Sequence, residues 1–121
     1  MDETGLKQRT KAFALRVMKL VGALPETTVG RTIGNQLVRS ATSVGANYRA
    51  ACRGRSKPEF VAKLGIVVEE ADECGYWLEL IIEGDLLKKP LVEPLLTEAN
   101  EITAIMVASH KTAQSSIKSS K

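Results

Sequence analysis

The sequence is poor in the residues on which most enzymes and secreted proteins depend. Its 121 residues include one histidine and two cysteines, Cys52 and Cys74, and no CxxC pair. Two cysteines this far apart cannot build the disulfide framework of a small secreted protein or a zinc knuckle. We expect both thiols to be small buried hydrophobic side chains.

Aromatic residues and long apolar runs are also scarce. Phe, Trp and Tyr make up 4% of the chain and all hydrophobic residues 44%, so aliphatic side chains must fill the interior, as in packed helices. No stretch approaches the roughly 18 apolar residues of a membrane span, and the start Met-Asp-Glu-Thr-Gly is unlike a signal peptide. We therefore expect a cytoplasmic protein without a membrane segment.

Apolar residues recur at helical spacing in four segments. Pro25, Gly54 and Gly84 separate these segments, and Ser56-Lys57-Pro58-Glu59 matches a capping box with proline at the helix start. The pattern predicts helices at about 6–24, 28–53, 57–83 and 90–114, and a polar tail at 115–121 that frays. Short connections between such helices predict one all-α domain, an antiparallel up-down four-helix bundle.

The second predicted helix carries glycines beside its apolar stripe. The stripe comprises Val29, Ile33, Leu37, Ala41, Val44, Tyr48 and Ala51. Gly30, Gly34 and Gly45 lie next to it, although a glycine inside a helix costs up to about 1 kcal/mol relative to alanine. Their grouping predicts that a neighbouring backbone approaches closely there.

Charge is distributed unevenly, although the net charge is only +3. Residues 1–63 hold 12 Lys or Arg against 4 Asp or Glu, and residues 64–121 hold 5 against 10. This asymmetry fits a basic face for nucleic acid, oppositely charged faces that meet between subunits, or solvated helix surfaces without a partner. The sequence leaves these three interpretations open.

The third predicted helix carries a second apolar stripe with acidic neighbours. The candidate interface residues are Ala62, Ile66, Glu69, Glu73, Trp77 and Leu80. A single chain would leave the apolar members in water, and an exposed patch of this kind usually marks an interface. We therefore predict a homo-oligomer, assembled head to tail because the faces carry opposite charges. The alternative is that Trp77 covers the bundle end within one chain.

The sequence contains no recognisable pattern of catalytic or cofactor-binding residues. His110 has Val107 three residues before it, so the Glu-x-x-His pair of di-metal bundles is missing. No glycine-rich phosphate-binding loop follows a strand. We predict a non-enzymatic protein that uses no metal, no cofactor and no small-molecule substrate.

Basic residues gather on the second helix and in the turn after it. The candidate phosphate contacts are Arg31, Arg49, Arg53, Arg55 and Lys57. Clustered Lys and Arg are expected where a protein contacts nucleic-acid phosphates. No aromatic platform accompanies them, which argues against base-specific reading of a single strand. Pairing with the acidic helix of a neighbouring subunit is the alternative.

One segment of the second helix resembles a known family. The stretch Gln36-Leu37-Val38-Arg39-Ser40-Ala41-Thr42-Ser43-Val44-Gly45-Ala46-Asn47-Tyr48-Arg49 is similar to the hallmark of the bacterial four-helix bundle proteins, also called 23S rRNA intervening-sequence proteins. Its motif residues are Gln36, Arg39, Ser43, Asn47 and Tyr48. A later block, which includes Tyr76-Trp77-Leu78, agrees as well, so the resemblance covers about residues 30–82.

The resemblance implies an up-down four-helix bundle that assembles as a ring, typically a homopentamer, without an established enzymatic activity. Some relatives are encoded inside intervening sequences of large ribosomal RNA genes, and a structurally similar accessory protein of retroelements works with nucleic acid. RNA or DNA binding is therefore one implied function, and a scaffold that binds other proteins is the alternative. The chain departs from the family at Ala50, where an acidic residue is common, which puts an inter-helix ion pair at that position in doubt.

Overall fold

The computed structural model describes residues 1–119, with side chains through Ile117. This part of the chain contains four α-helices and no strand. Their bounds are α1 Glu3–Val21, α2 Thr28–Cys52, α3 Lys57–Glu83 and α4 Lys89–Ser119. The predicted all-α class is confirmed.

Polar side chains cap the first three helices. Asp2, Thr27 and Ser56 each accept a hydrogen bond from the backbone N–H three residues later, at 2.7, 3.1 and 3.2 Å. Each cap of this kind is worth about 1 kcal/mol. The Glu59 carboxylate accepts from the Arg55 N–H at 3.2 Å, one residue before the Ser56 N–H that a capping box uses. The first half of the predicted capping box is therefore present, and the second half is shifted by one residue.

The first helix lies further toward the N-terminus than the pattern of apolar residues predicts. It spans Glu3–Val21 where the pattern predicts 6–24. The reason is the cap at Asp2, which starts the helix before its first buried residue, Leu6.

The fourth helix is longer than predicted. It continues through Ser119, so the predicted fraying of the tail is wrong for residues 115–119, and residues 120 and 121 lie outside the described part of the chain. Contact with the start of α3 supports this end of the helix, since Lys57 Nζ donates to Ser116 Oγ at 2.9 Å.

Aliphatic side chains fill the centre of the structure. Large residues from all four helices are completely buried, among them Phe13, Val17, Leu37, Val44, Leu64, Leu78, Ile81, Ile102 and Met106. Burying each such side chain contributes about 1.5–3 kcal/mol. Val29 was expected in this core but is 55% exposed, because it lies in the first turn of α2, where Gly30 is the buried residue.

Each helix packs against the next one along the chain, and α1 also packs against α4. Between α3 and α4, Gly65 faces His110 and Gly75 faces Asn100, so residue numbers rise in one helix as they fall in the other. The α1–α4 seam is the least closely packed of the four seams among the described residues.

Candidate nucleic-acid interface

The helices α1 and α2 approach each other closely because α2 carries glycines on the side that faces α1. A Cβ atom at Gly45 would lie 3.3 Å from Thr10 Oγ1, and one at Gly34 would lie 3.0 Å from Val21 Cγ1. Thr10 is buried, and its hydroxyl donates to the Leu6 carbonyl at 2.8 Å. The predicted close approach of a neighbouring backbone is confirmed at Gly45, where a Cβ atom would lie 3.7 Å from the Thr10 carbonyl carbon. This approach brings the side chains that flank the seam near one another.

Four cationic side chains flank this seam toward one end of the structure. An open groove of about 320 Å³, here termed the basic groove, is lined by Lys7, Gln8 and Lys11 of α1, by Arg49 of α2 and by Arg53, the C-cap residue of α2. Lys7 and Lys11 are four residues apart and therefore share one face of α1, and Arg53 follows Arg49 by the same spacing at the C-terminal end of α2. The basic groove thus presents two rows of positive charge.

Little of this charge is neutralised within the chain. Lys7 forms an ion pair with Glu3 at 3.3 Å, in which both side chains are exposed. No carboxylate of the described side chains forms an ion pair with Lys11, Arg49 or Arg53. A phosphate could therefore contact these three cations without displacing a carboxylate.

Arg9, by contrast, is neutralised between α1 and α4. Its Nε and Nη2 atoms donate to the two carboxylate oxygens of Glu98 at 2.8 and 2.6 Å, and Nη2 also donates to Glu101 at 3.0 Å. These hydrogen bonds raise the pKa of Arg9 and lower the pKa of Glu98, because each charged form stabilises the other. The charge of Arg9 therefore stabilises the contact between α1 and α4.

Arg39 is neutralised between α2 and α3. Its Nη1 donates to Glu70 at 2.9 Å, and its Nη2 pairs with Glu73, whose carboxylate also accepts from Trp77 Nε1 at 3.1 Å. Hydrogen bonding to Glu70 raises the pKa of Arg39. These four residues, termed the Arg39 cluster, connect the motif on α2 to the acidic helix within one chain.

The other motif residues also make contacts inside the chain. Asn47 Nδ2 donates to the Ser43 carbonyl at 2.9 Å, and Gln36 Oε1 accepts from Arg39 Nε at 3.4 Å. Tyr48 is buried, and burial raises the pKa of its hydroxyl. In this chain the motif residues therefore make structural contacts, either within α2 or between α2 and α3.

The five predicted phosphate contacts lie in three places. Arg49 and Arg53 line the basic groove. Arg55 and Lys57 lie in and just after the turn that leads into α3, next to the end of α2 that carries Arg53. Arg31 precedes Arg49 by five helical turns, about 27 Å along the helix axis, and its Nη1 donates to a backbone carbonyl at 2.9 Å. Arg31 is therefore separate from the basic groove.

Sequence reasoning missed the contribution of α1 to this groove. Lys7 and Lys11 fall outside the apolar stripe of their helix, but helical periodicity does not say beside which neighbour they stand. The glycines of α2 are the feature of the sequence that could have indicated this groove. The helix that packs against them also places its cations beside Arg49. That signal needs the register between Gly45 and Thr10, which only the structure provides.

The predicted interface stripe on α3 is used largely within the chain. Trp77 and Leu80 are half-buried, and Trp77 packs against the core, so the expectation that a single chain leaves them in water is wrong. The Trp77 ring is also held by the Arg39 cluster, in which its Nε1 donates to the Glu73 carboxylate. The exposed members of the set are Ala62, Ile66 and Glu69.

Cysteine and acidic side chains are the groups that most often bind metals or act as nucleophiles. Among residues 1–119, no group of three His, Cys, Asp or Glu side chains is placed to hold a metal ion. Burial raises the pKa of the Cys74 thiol to about 12 and also raises that of Cys52, so both are poor nucleophiles at neutral pH. Cys52 is only half-buried, less than predicted. None of the helices described combines the length and apolar character needed to cross a membrane.

The structure defines a class of protein, a small four-helix domain whose motif residues make contacts within the chain and whose basic groove holds three cations without an ion pair to a described carboxylate. Within that class, the model of the 23S rRNA-intervening sequence protein family matches residues 3–108. The chain belongs to this family, and the resemblance seen in its second helix is confirmed.

A solved structure supports the same assignment. The crystal structure of a protein with unknown function from the S23 ribosomal protein family of Bacteroides thetaiotaomicron VPI-5482 is 32% identical to this chain. The alignment covers 92% of this chain and 99% of that one, with a TM-score of 0.84. A search of curated proteins finds no significant match.

Proposed function

We propose that this chain is a non-enzymatic RNA-binding protein, an antiparallel up-down four-helix bundle that contacts phosphates through the basic groove. The observation that carries the proposal is the groove itself, in which Lys11, Arg49 and Arg53 form no ion pair with a described carboxylate. The family description, which refers to intervening sequences of 23S rRNA, favours RNA over DNA as the ligand.

The composition of the groove favours backbone contacts over base contacts. Cations one helical turn apart, about 5.4 Å along the axis, can lie beside successive phosphates of one strand. No aromatic ring is among the residues that line the groove, so unpaired bases have no surface on which to stack. Phosphate contacts position a protein without reading sequence, and we therefore expect binding to structured RNA with little sequence preference.

The test is the binding of a fluorescein-labelled, mixed-sequence RNA duplex to the full chain, followed by fluorescence anisotropy at increasing salt. If four cations contact phosphates, the logarithm of the binding constant should fall against that of salt with a slope of about −3 to −4. The double variant Arg49→Gln, Arg53→Gln should weaken binding about tenfold or more at low salt and reduce the slope by about 2.

A matched control removes two exposed lysines elsewhere. The double variant Lys88→Gln, Lys111→Gln loses the same charge outside the groove and should retain the wild-type slope. Equal losses of affinity in both double variants would show that binding depends on net charge and would contradict binding in the basic groove. Absence of binding, or a response that is flat in salt, would favour the alternative function of a structural scaffold.

Assembly is the other part of the proposed function. The ring, expected to be a homopentamer from the family resemblance, would place several basic grooves on one particle. Several grooves on one RNA raise the overall affinity without any new contact. Binding by a single groove does not require assembly.

A further inference from the structure

The seam between α1 and α4 is closed by ion pairs in one part and open in another. In the closed part, Arg9 Nη2 donates to Glu98 at 2.6 Å and to Glu101 at 3.0 Å. Toward the C-terminal end of α1 the seam opens into a groove of about 420 Å³, here termed the α1–α4 groove. Its lining comprises Arg16, Lys19, Leu20, Ala23, Leu91, Pro94 and Leu95. Side chains of one chain therefore do not fill this seam along its whole length.

Two cations of α1 line the α1–α4 groove. Arg16 follows Arg9 by two helical turns, so both lie on the same face of α1, and Lys19 follows Arg16 by less than one turn. No described carboxylate forms an ion pair with Arg16 or Lys19. The α4 residues that line the groove are all apolar. Arg9 thus shows that this face of α1 binds carboxylates, and the two cations further along have no such partner among the described side chains.

The apolar floor of the groove continues beyond α1. Leu91 is 60% exposed, and it also lines a second open groove of about 690 Å³ at the turn between α3 and α4. Leu86 and Leu87 extend the apolar surface there. The second groove also holds Asp85, so the edge suited to carboxylates is the one along α1. Exposed apolar side chains grouped in this way mark an interaction surface.

We propose that the α1–α4 groove binds an amphipathic helix of another protein, one whose apolar stripe is bordered by glutamate or aspartate side chains. Its apolar stripe covers Leu91 and the neighbouring floor. Its carboxylates lie beside Arg16 and Lys19, as Glu98 and Glu101 lie beside Arg9. Helices with apolar residues at i, i+3, i+4 and i+7 are a recurring partner of apolar grooves.

The shape of the groove favours a helix over other acidic partners. A flat bilayer does not reach the floor of a groove between two helices, whereas a third helix does. A small ligand is usually enclosed over most of its surface, and this groove is open along one side. No residue of the basic groove lines the α1–α4 groove, so this inference does not rest on RNA binding.

The test uses a designed, fluorescein-labelled peptide of about 14 residues, or four helical turns. The peptide carries leucines at i, i+3, i+4 and i+7 and glutamates on both sides of that stripe. Fluorescence anisotropy with the full chain should show saturable binding. A peptide of the same composition, with its leucines dispersed around the helix, should bind about tenfold or more weakly, because it cannot cover the floor with one face.

Two variants examine the edge and the floor of the groove separately. Lys19→Glu places a like charge beside the glutamates and should weaken binding about tenfold or more. A peptide with lysines in place of its glutamates should bind this variant more tightly than it binds the wild type, because complementarity returns with the signs exchanged. Leu91→Gln removes exposed apolar surface from the floor and should weaken binding about tenfold.

Matched controls make the same changes elsewhere. Lys111→Glu and Val107→Gln alter exposed positions of α4 outside the groove and should retain the wild-type affinity for the peptide. The double variant Arg49→Gln, Arg53→Gln should retain it as well, so failure of RNA binding and failure of this proposal are separate results. Circular dichroism establishes that each variant remains helical.

Three results with the peptides would overturn the proposal. They are no binding at high micromolar concentration, equal binding of the peptide with dispersed leucines, and equal losses in Lys19→Glu and Lys111→Glu. Vesicles of phosphatidylserine and phosphatidylcholine, and sedimentation of the chain alone, examine the other possible occupants. Binding of vesicles or self-association that Lys19→Glu abolishes, without binding of the peptide, would assign the groove to a membrane surface or to a second copy and would also contradict the proposal.

Discussion

Gly30 is the residue at which backbone packing leaves least room for a side chain. A Cβ atom there would lie 2.1 Å from the Pro25 carbonyl oxygen, and a backbone atom cannot move away by rotating a side chain. Alanine would gain up to about 1 kcal/mol in helix propensity, but α2 would have to shift from the preceding turn. We expect Gly30→Ala to lower the free energy of unfolding by about 1–3 kcal/mol, measured by urea denaturation.

Gly22 provides the control for this substitution. It is exposed, its φ of −61° suits any residue, and a Cβ atom there would meet Lys19 O at 3.4 Å. Gly22→Ala should leave stability unchanged or raise it by about 0.5 kcal/mol. Equal destabilisation at the two sites would show that the contact with Pro25 is not the cause.

At the scale of helices, the Arg9–Glu98 pair joins α1 to α4 across the least closely packed seam. The pKa of Glu98 is lowered in the fold, so the pair stabilises the protein above the ordinary Glu pKa of about 4.3. This contribution is lost as pH falls through the lowered value. We expect Arg9→Met to cost about 1 kcal/mol at neutral pH, allowing for solvent screening, and progressively less below about pH 4.

Urea denaturation at a series of pH values measures this difference. The control is Lys89→Met, which removes an ion pair to Glu93 in which both side chains are mostly exposed. We expect no measurable change there, because exposed pairs contribute little. A difference between Arg9→Met and the wild type that persists undiminished in acid would assign the effect to lost packing of the Arg9 side chain.

At the scale of the whole molecule, the proposed assembly and the basic groove make a joint prediction. If several basic grooves act on one RNA, the assembled protein should bind a long RNA duplex about tenfold or more tightly than a duplex short enough for one groove. At concentrations at which the chain is a monomer, the two duplexes should be bound equally. Anisotropy and sedimentation on the same samples provide the measurement, and equal affinity of the assembled protein for both duplexes would show that the grooves act independently.

Local signals in the sequence determined the class and most helix positions of this protein. Periodic apolar residues, the cap at Ser56 and the stop signals at Pro25, Gly54 and Gly84 are properties of short segments, and they predict four helices without knowledge of any distant contact. Two helix ends differ from the prediction, because they depend on contacts that leave no periodic pattern in the sequence. The cap at Asp2 precedes the apolar stripe, and the end of α4 is supported by Lys57 from another helix.

Only the tertiary structure decided which charges and apolar residues remain available. In the sequence Arg39 resembles Arg49, yet Arg39 is paired with carboxylates 31 and 34 residues away, while Arg49 lines a groove with lysines of α1. Trp77 likewise looks like an interface residue in the sequence, yet it packs against the core and its Nε1 donates to Glu73. The physical reason is that helical periodicity places a side chain on a face of its own helix, whereas ion pairing and burial depend on which helix stands opposite.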